Sequence, residues 1–97
     1  MPTYVVLANL TDQGARTMED LRRRLDNARA TFRAHGAELK ELYFAMGQYD
    51  YVIIANAPDD ETITRVALAV SGQGNVRTNT FRVFTEDEAL ALVEATS

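Results

Sequence analysis

The chain has 97 residues, 46% of them hydrophobic, with ten lysines and arginines against fourteen aspartates and glutamates and a formal net charge of −4. That length fits one domain spanning 1–97 with little core to spare and no room for a second catalytic or DNA-binding domain, and the charge has the wrong sign for a protein that works on phosphate backbones. Having no cysteine and one histidine excludes thiolate chemistry, disulfides, and sulfur-ligated or multi-histidine metal sites; with no apolar run near the ~18 residues of a membrane helix, the expectation is a soluble, cytoplasmic chain without cofactors.

Thr3 to Asn9 is β-branched and aromatic enough for a first strand, with Tyr4, Val6 and Ala8 on one face and Val5 and Leu7 on the other. Thr11-Asp12-Gln13-Gly14 reads as a turn, and Thr17 with Asp20 three residues on as a capped helix start. Met18, Leu21, Leu25, Ala28 and Phe32 then recur at helical spacing to about His35, with Gly36 as a left-handed terminator. His35 sits in the last turn, where a cation meets the negative end of the helix dipole, and no nucleophile or carboxylate lies beside it in sequence to give it a chemical role. Arg22-Arg23-Arg24 shares this helix with Glu19, Asp20 and Asp26 and reads as a solvated face, which leaves nucleic-acid binding without support.

A second strand from about Glu38 to Met46 leads through Gly47-Gln48-Tyr49-Asp50 into a third from about Asp50 to Asn56. Gly47 is placed to supply the positive φ of a hairpin loop, and Asp50 to accept hydrogen bonds from loop amides. Pro58 then stops the chain, and one of Asp59, Asp60 and Glu61 caps a second helix whose buried stripe is Ile63, Val66, Ala67 and Val70. After Gly72-Gln73-Gly74-Asn75, a fourth strand runs from Val76 to Phe84, and Thr85 with Glu88 opens a short C-terminal helix as a capping box.

The order β-α-β-β-α-β plus a tail helix predicts an α+β fold, a four-stranded antiparallel sheet in the ferredoxin-like arrangement with both helices on one face. If Val5, Leu7, Val52, Ile54, Phe81 and Val83 face those helices, the open face receives Tyr4, Val6, Ala8, Tyr51, Ile53, Thr78, Thr80 and Arg82. A three- or five-residue hairpin loop adds Glu41, Tyr43 and Ala45 to it; a two- or four-residue loop adds Leu42, Phe44 and Met46 instead. The odd loop is favoured because it puts Leu42 and Phe44 into the core. About six apolar side chains at roughly 1.5–3 kcal/mol each offset an association cost of ~4–15 kcal/mol, so the open faces of two copies are expected to pair as a dimeric α/β barrel.

Such a pairing either knits subunits together or encloses a pocket whose polar fixings are Arg82, Glu41 and the threonine hydroxyls, with tyrosine rings as its wall. The candidate ligand-binding set is Tyr4, Glu41, Tyr43, Tyr51, Thr78, Thr80 and Arg82, and arginine there favours a carboxylate-bearing ligand.

Gly47, Tyr49 and Asp50, taken with Pro58-Asp59 and the Val76-Arg77-Thr78 strand ending in Thr85-Glu86, resemble the GYD-domain family over nearly the whole chain. The resemblance implies a small, ferredoxin-like, oligomerising protein and supplies no catalytic residues. A looser resemblance, on Gly47, Asp50, Val76, Arg77, Thr78 and Thr80, is to the effector-binding domains of the leucine-responsive regulator family. It implies dimerisation through the sheet and amino-acid-like effectors at subunit interfaces. No helix-turn-helix precedes the domain here, so direct transcription-factor activity is not expected. Three functions compete: a non-enzymatic metabolite-binding module, a ligand-free assembly protein, and a cofactor-independent enzyme similar to monooxygenases and lactone isomerases built from paired ferredoxin-like sheets. The last would use Tyr43 or Tyr51 as proton donor and Glu41 or Asp50 as base.

Overall fold

A computed structural model describes residues 1–96; Ser97, the last residue of the expected domain, lies outside the described residues. Strands β1 (Thr3–Leu10), β2 (Glu38–Phe44), β3 (Tyr51–Asn56) and β4 (Val76–Val83) form one antiparallel sheet in the order β2-β3-β1-β4. Helices α1 (Asp12–Arg16), α2 (Leu21–Ala34), α3 (Asp60–Ser71) and α4 (Glu86–Thr96) complete it. This is the expected ferredoxin-like α+β fold, with α2 and α3 as the two crossover helices on one face.

The first helix starts earlier than Thr17. Thr11 accepts a hydrogen bond from the Gly14 amide (3.1 Å) and caps the five-residue α1, while the Thr17 hydroxyl is turned to the Gln13 carbonyl (2.9 Å). A single 3₁₀ turn, Met18–Asp20, then bends the chain into α2. At the other end Gly36 has φ +79°, and the Ala37 amide returns to the Phe32 carbonyl (2.9 Å), the left-handed stop its position requires. Asp59 caps α3 through the Thr62 amide (2.8 Å), and the hydrogen bonds that Thr85 and Glu88 exchange at the start of α4 confirm the capping box.

The core lies between the sheet and the helices, and its sidedness is the reverse of that expected. Tyr4, Val6, Ala8, Tyr51, Ile53 and Ala55 are buried under Phe32, Ile63 and Val66, so Val5, Leu7, Val52 and Ile54 belong to the open face. The hairpin parity differs as well. Ala45 donates to Asp50 (2.8 Å) around a four-residue loop, 46–49, and Phe44 stands opposite Tyr51. The two reversals cancel for β2, where Leu42 still faces the core and Glu41 and Tyr43 still face outward, opposite Ile54 and Val52. A bulge at Lys40, between Leu39 and Glu41, then shifts the pairing by one residue, so that Leu39, opposite Ala55, also packs on the core.

The physical reason lies in close approach. Ala8, Ala55 and Ala57 are at most 2% exposed and let the helices settle onto the strands, whereas a surface of Leu7, Val52, Ile54 and Phe81 would hold them away. Tyr4, one of two tyrosines on the buried face, is accommodated because its hydroxyl donates to Asp60 at the start of α3 (2.5 Å).

α4 stands apart from this core. None of its residues is buried. The chain measures 52 × 30 × 17 Å with a radius of gyration of 14.7 Å, against about 12.5 Å for a compact chain of this length. The difference is that of a body with a projecting arm.

Candidate functional site

Three places bear on function: the uncovered face of the sheet, the end of the sheet that carries the hairpin, and a cavity between helices and sheet. The cavity measures about 70 Å³ and is walled by Val6, Ala8, Leu25, Ala28, Phe32, Ile53 and Ile63, with Arg24, Gln73, Asn75 and Thr78 among its few polar neighbours. It is small beside the ~300–1,000 Å³ of ligand pockets. The Arg24 guanidinium is already committed to the Gly14 carbonyl (3.1 Å) and the Thr17 hydroxyl (3.3 Å). The cavity is therefore a packing gap rather than a site.

At the hairpin end, Gly47 adopts φ +107°, as its loop position requires. Asp50 does not serve the loop's own amides. Its Oδ2 accepts from the amide of Leu10 (2.8 Å), the last residue of β1, and its own amide donates to the Ala8 carbonyl (3.0 Å). The motif aspartate thus bolts the hairpin to the strand beside it. One residue on, Thr11 donates from its amide to Asn75 O (3.0 Å) and from its hydroxyl to Gly74 O (2.6 Å), and the Gln13 side chain reaches Gln73 O (3.2 Å) and Asn75 Oδ1 (3.0 Å). Gly14 is pressed so close to this loop that a Cβ would lie 2.1 Å from Asn75 O. Hairpin, β1–α1 corner and α3–β4 loop are one hydrogen-bonded assembly, which the hairpin joins through Asp50.

The open face carries Val5 and Leu7 from β1, Val52 and Ile54 from β3, and Phe81 and Val83 from β4, in register across the sheet. Phe81 is 46% exposed. Polar groups border this apolar stripe. Tyr43 donates a hydrogen bond to Glu41 on β2, which raises the tyrosine pKa through that bond and the carboxylate charge. Asn56 donates to Pro2 O (3.2 Å) and Thr3 Oγ1 (3.1 Å), and Arg77 and Asn79 stand exposed on β4. Arg77 makes no ion pair among the described residues.

Of the seven candidate ligand-binding residues, only Glu41 and Tyr43 reach this face. The other five lie on the helix side. Tyr4 is locked beneath α3, its pKa pushed up to about 12 first by burial and then by the Asp60 hydrogen bond. Tyr51 is buried against Phe44 in an edge-to-face contact (5.0 Å between ring centroids), and burial again raises its pKa, opposed by the nearby Arg24 charge. Thr78 shares a hydrogen bond with Ser71 (3.3 Å), Thr80 Oγ1 is buried without a partner among the described residues, and Arg82 stacks on Phe84 at 4.7 Å. The alternation of β4 is visible in the sequence, but with Phe81 and Val83 expected on the covered side, Arg77 and Asn79, which share their face, stay outside the candidate set.

The geometry defines a ferredoxin-like α+β domain with one apolar sheet face uncovered. Comparison with known proteins is consistent with that class. The leucine response regulatory protein of Mycobacterium tuberculosis superposes with a TM-score of 0.65 at 17% identity, over 87% of this chain and 51% of that one. A feast or famine regulatory protein from the same organism, solved in complex with L-methionine, gives 0.66 at 16% identity, over 88% and 51%. The chain spans about half the length of each regulator. At higher identity, 32% over 92 residues, it is similar to a glutamine synthetase and cystathionine beta-lyase binding protein from Thermus thermophilus, covering 94% of this chain and 97% of that one. The GYD domain model matches residues 4–93, and the chain belongs to the GYD domain family.

Proposed function

We propose that this chain is a non-enzymatic, self-associating binding module that pairs through the uncovered face of its sheet and holds a small carboxylate-bearing metabolite at or near that contact. The observation that carries the reading is the apolar stripe of Val5, Leu7, Val52, Ile54, Phe81 and Val83, over which no helix lies. A surface of this kind on a small domain marks an interaction site. The polar fixings are Arg77 and Asn79 on β4 and the Tyr43–Glu41 pair on β2, with Arg77 taking the carboxylate in place of Arg82. Support comes from the regulator solved with L-methionine, a carboxylate-bearing ligand, and from the Thermus relative, whose name describes binding to two enzymes. On that analogy the assembled module acts by docking on partner enzymes, and the metabolite tunes the docking.

Native mass spectrometry of freshly purified protein tests this. The expected result is a dimer or a multiple of it that carries a stoichiometric extra mass, with Leu7→Glu shrinking that assembly and shedding the extra mass. A monomer at micromolar concentration refutes the reading. A cofactor-independent enzyme is the second reading, favoured by the hydroxyl–carboxylate contact of Tyr43 and Glu41 on the same face.

A further inference from the structure

The projecting helix α4 carries its own side-chain logic. Helical spacing gathers Ala89, Leu90, Leu92 and Val93 on one side, with Glu86 at its N-terminal end between Val93 and Leu90, Glu88 along one border and Asp87 and Glu94 along the other. Leu90 and Leu92 are 50% and 52% exposed. The helix has acidic residues and no basic one in its first and last turns. A solvated helix gains nothing from an apolar side, so this one is built to be covered.

A matching surface lies on the opposite edge of the fold. Between α2 and β2 runs a groove of about 320 Å³ whose floor is Leu21, Leu25 and Phe44 and whose rim carries Arg22, Arg29 and one acid, Asp26. Phe44 is 58% exposed there. Neither rim arginine makes an ion pair among the described residues, and α2 holds five arginines against one aspartate. The groove has an apolar floor and a rim on which two arginines outnumber one aspartate; α4 has an apolar side and acidic borders with no basic residue.

α4 does not lie in the groove of its own chain. It follows β4, one edge of the sheet, while the groove flanks β2, the other edge, about 14 Å away at the spacing of neighbouring strands.

We infer that α4 of one copy docks in the α2–β2 groove of a second copy, its leucines on Phe44 and Leu25 and its carboxylates against Arg22 and Arg29. The exchange is reciprocal about a two-fold axis, so each pairing buries two helices and two grooves. This contact is separate from sheet pairing and does not rest on it.

The absence of native cysteine makes the test clean. Leu90→Cys and Phe44→Cys proteins, distinguished by mass, are mixed, oxidised and examined for a disulfide between unlike chains. The bond is expected to form, to be lost when the Phe44→Cys chain also carries Arg22→Glu and Arg29→Glu, and to return when the Leu90→Cys chain carries Glu88→Arg and Glu94→Arg. It is expected to persist when both chains carry Leu7→Glu. No disulfide between unlike chains in folded protein, or one indifferent to charge reversal, overturns the inference, as does its loss in the Leu7→Glu background.

Discussion

Tyr4→Phe isolates a buried hydroxyl that ties α3 to the sheet. At neutral pH the substitution removes a 2.5 Å hydrogen bond to a carboxylate oxygen, and bonds to charged groups contribute about 1.5–3 kcal/mol. Asp60 stands exposed in the first turn of α3, where water and the helix dipole compensate it, so a loss of ~1.5 kcal/mol is expected. The alkaline side reverses the order. The Tyr4 pKa is pushed up to about 12 in the folded chain from the 10.0 of an ordinary tyrosine, so its neutral form is favoured by folding; that stability is complete below the unfolded pKa and lost as pH rises through the folded one. The wild-type chain forfeits on the order of 1 kcal/mol by about pH 11, and Tyr4→Phe forfeits none of it. The assay is urea unfolding of both proteins at one protein concentration, at neutral pH and near pH 11, where the other tyrosines titrate alike and cancel in the difference. The gap should close at high pH. A gap of the same size at both pH values would refute the claim that burial and Asp60 hold this hydroxyl protonated.

Asp50→Ala is expected to cost ~1–3 kcal/mol by stranding the Leu10 amide, while Asp50→Asn keeps an oxygen and most of the stability; thermal midpoints rank the three proteins. Gly14→Ala forces a Cβ against Asn75 O, which is backbone, and should lower stability by about 1–3 kcal/mol, seen as a reduced urea midpoint. Thr85→Ala removes the reciprocal cap of α4, about 1 kcal/mol of local helix stability. Because α4 buries nothing, its amides should exchange faster while the unfolding midpoint of dilute protein stays unchanged. Arg77→Ala is expected to weaken the response to a carboxylate ligand without altering the unfolding midpoint, read by ligand-dependent thermal shift.

Much of this fold was legible because its punctuation is chemical. Gly36, Gly47, Asp59 and the Thr85–Glu88 pair each stand where a helix or loop demands that residue type, and the structure uses each of them so. Thr11 was misread as a turn residue because Thr17 offers the same hydroxyl six positions on; only the close approach of Gly14 to Asn75 decides between them. Sidedness was the larger failure, and it carried five of seven candidate site residues with it. A period of two separates the faces of a strand but does not say which one the helices cover, and here both faces are apolar. The deciding features, three small alanines under the helices and a hydroxyl acceptor supplied by Asp60 from 56 residues away, are not periodic.

The bulge at Lys40 has a consequence outside the protomer. An edge strand with an unbroken row of amides and carbonyls invites another chain to extend the sheet, and extension of that kind has no natural end. β2 is such an edge, but the extra residue interrupts its regular spacing and Lys40 sets an exposed ammonium beside it. Growth into ribbons or fibrils through β2 is thereby discouraged, which leaves surfaces that close on themselves as the routes to assembly.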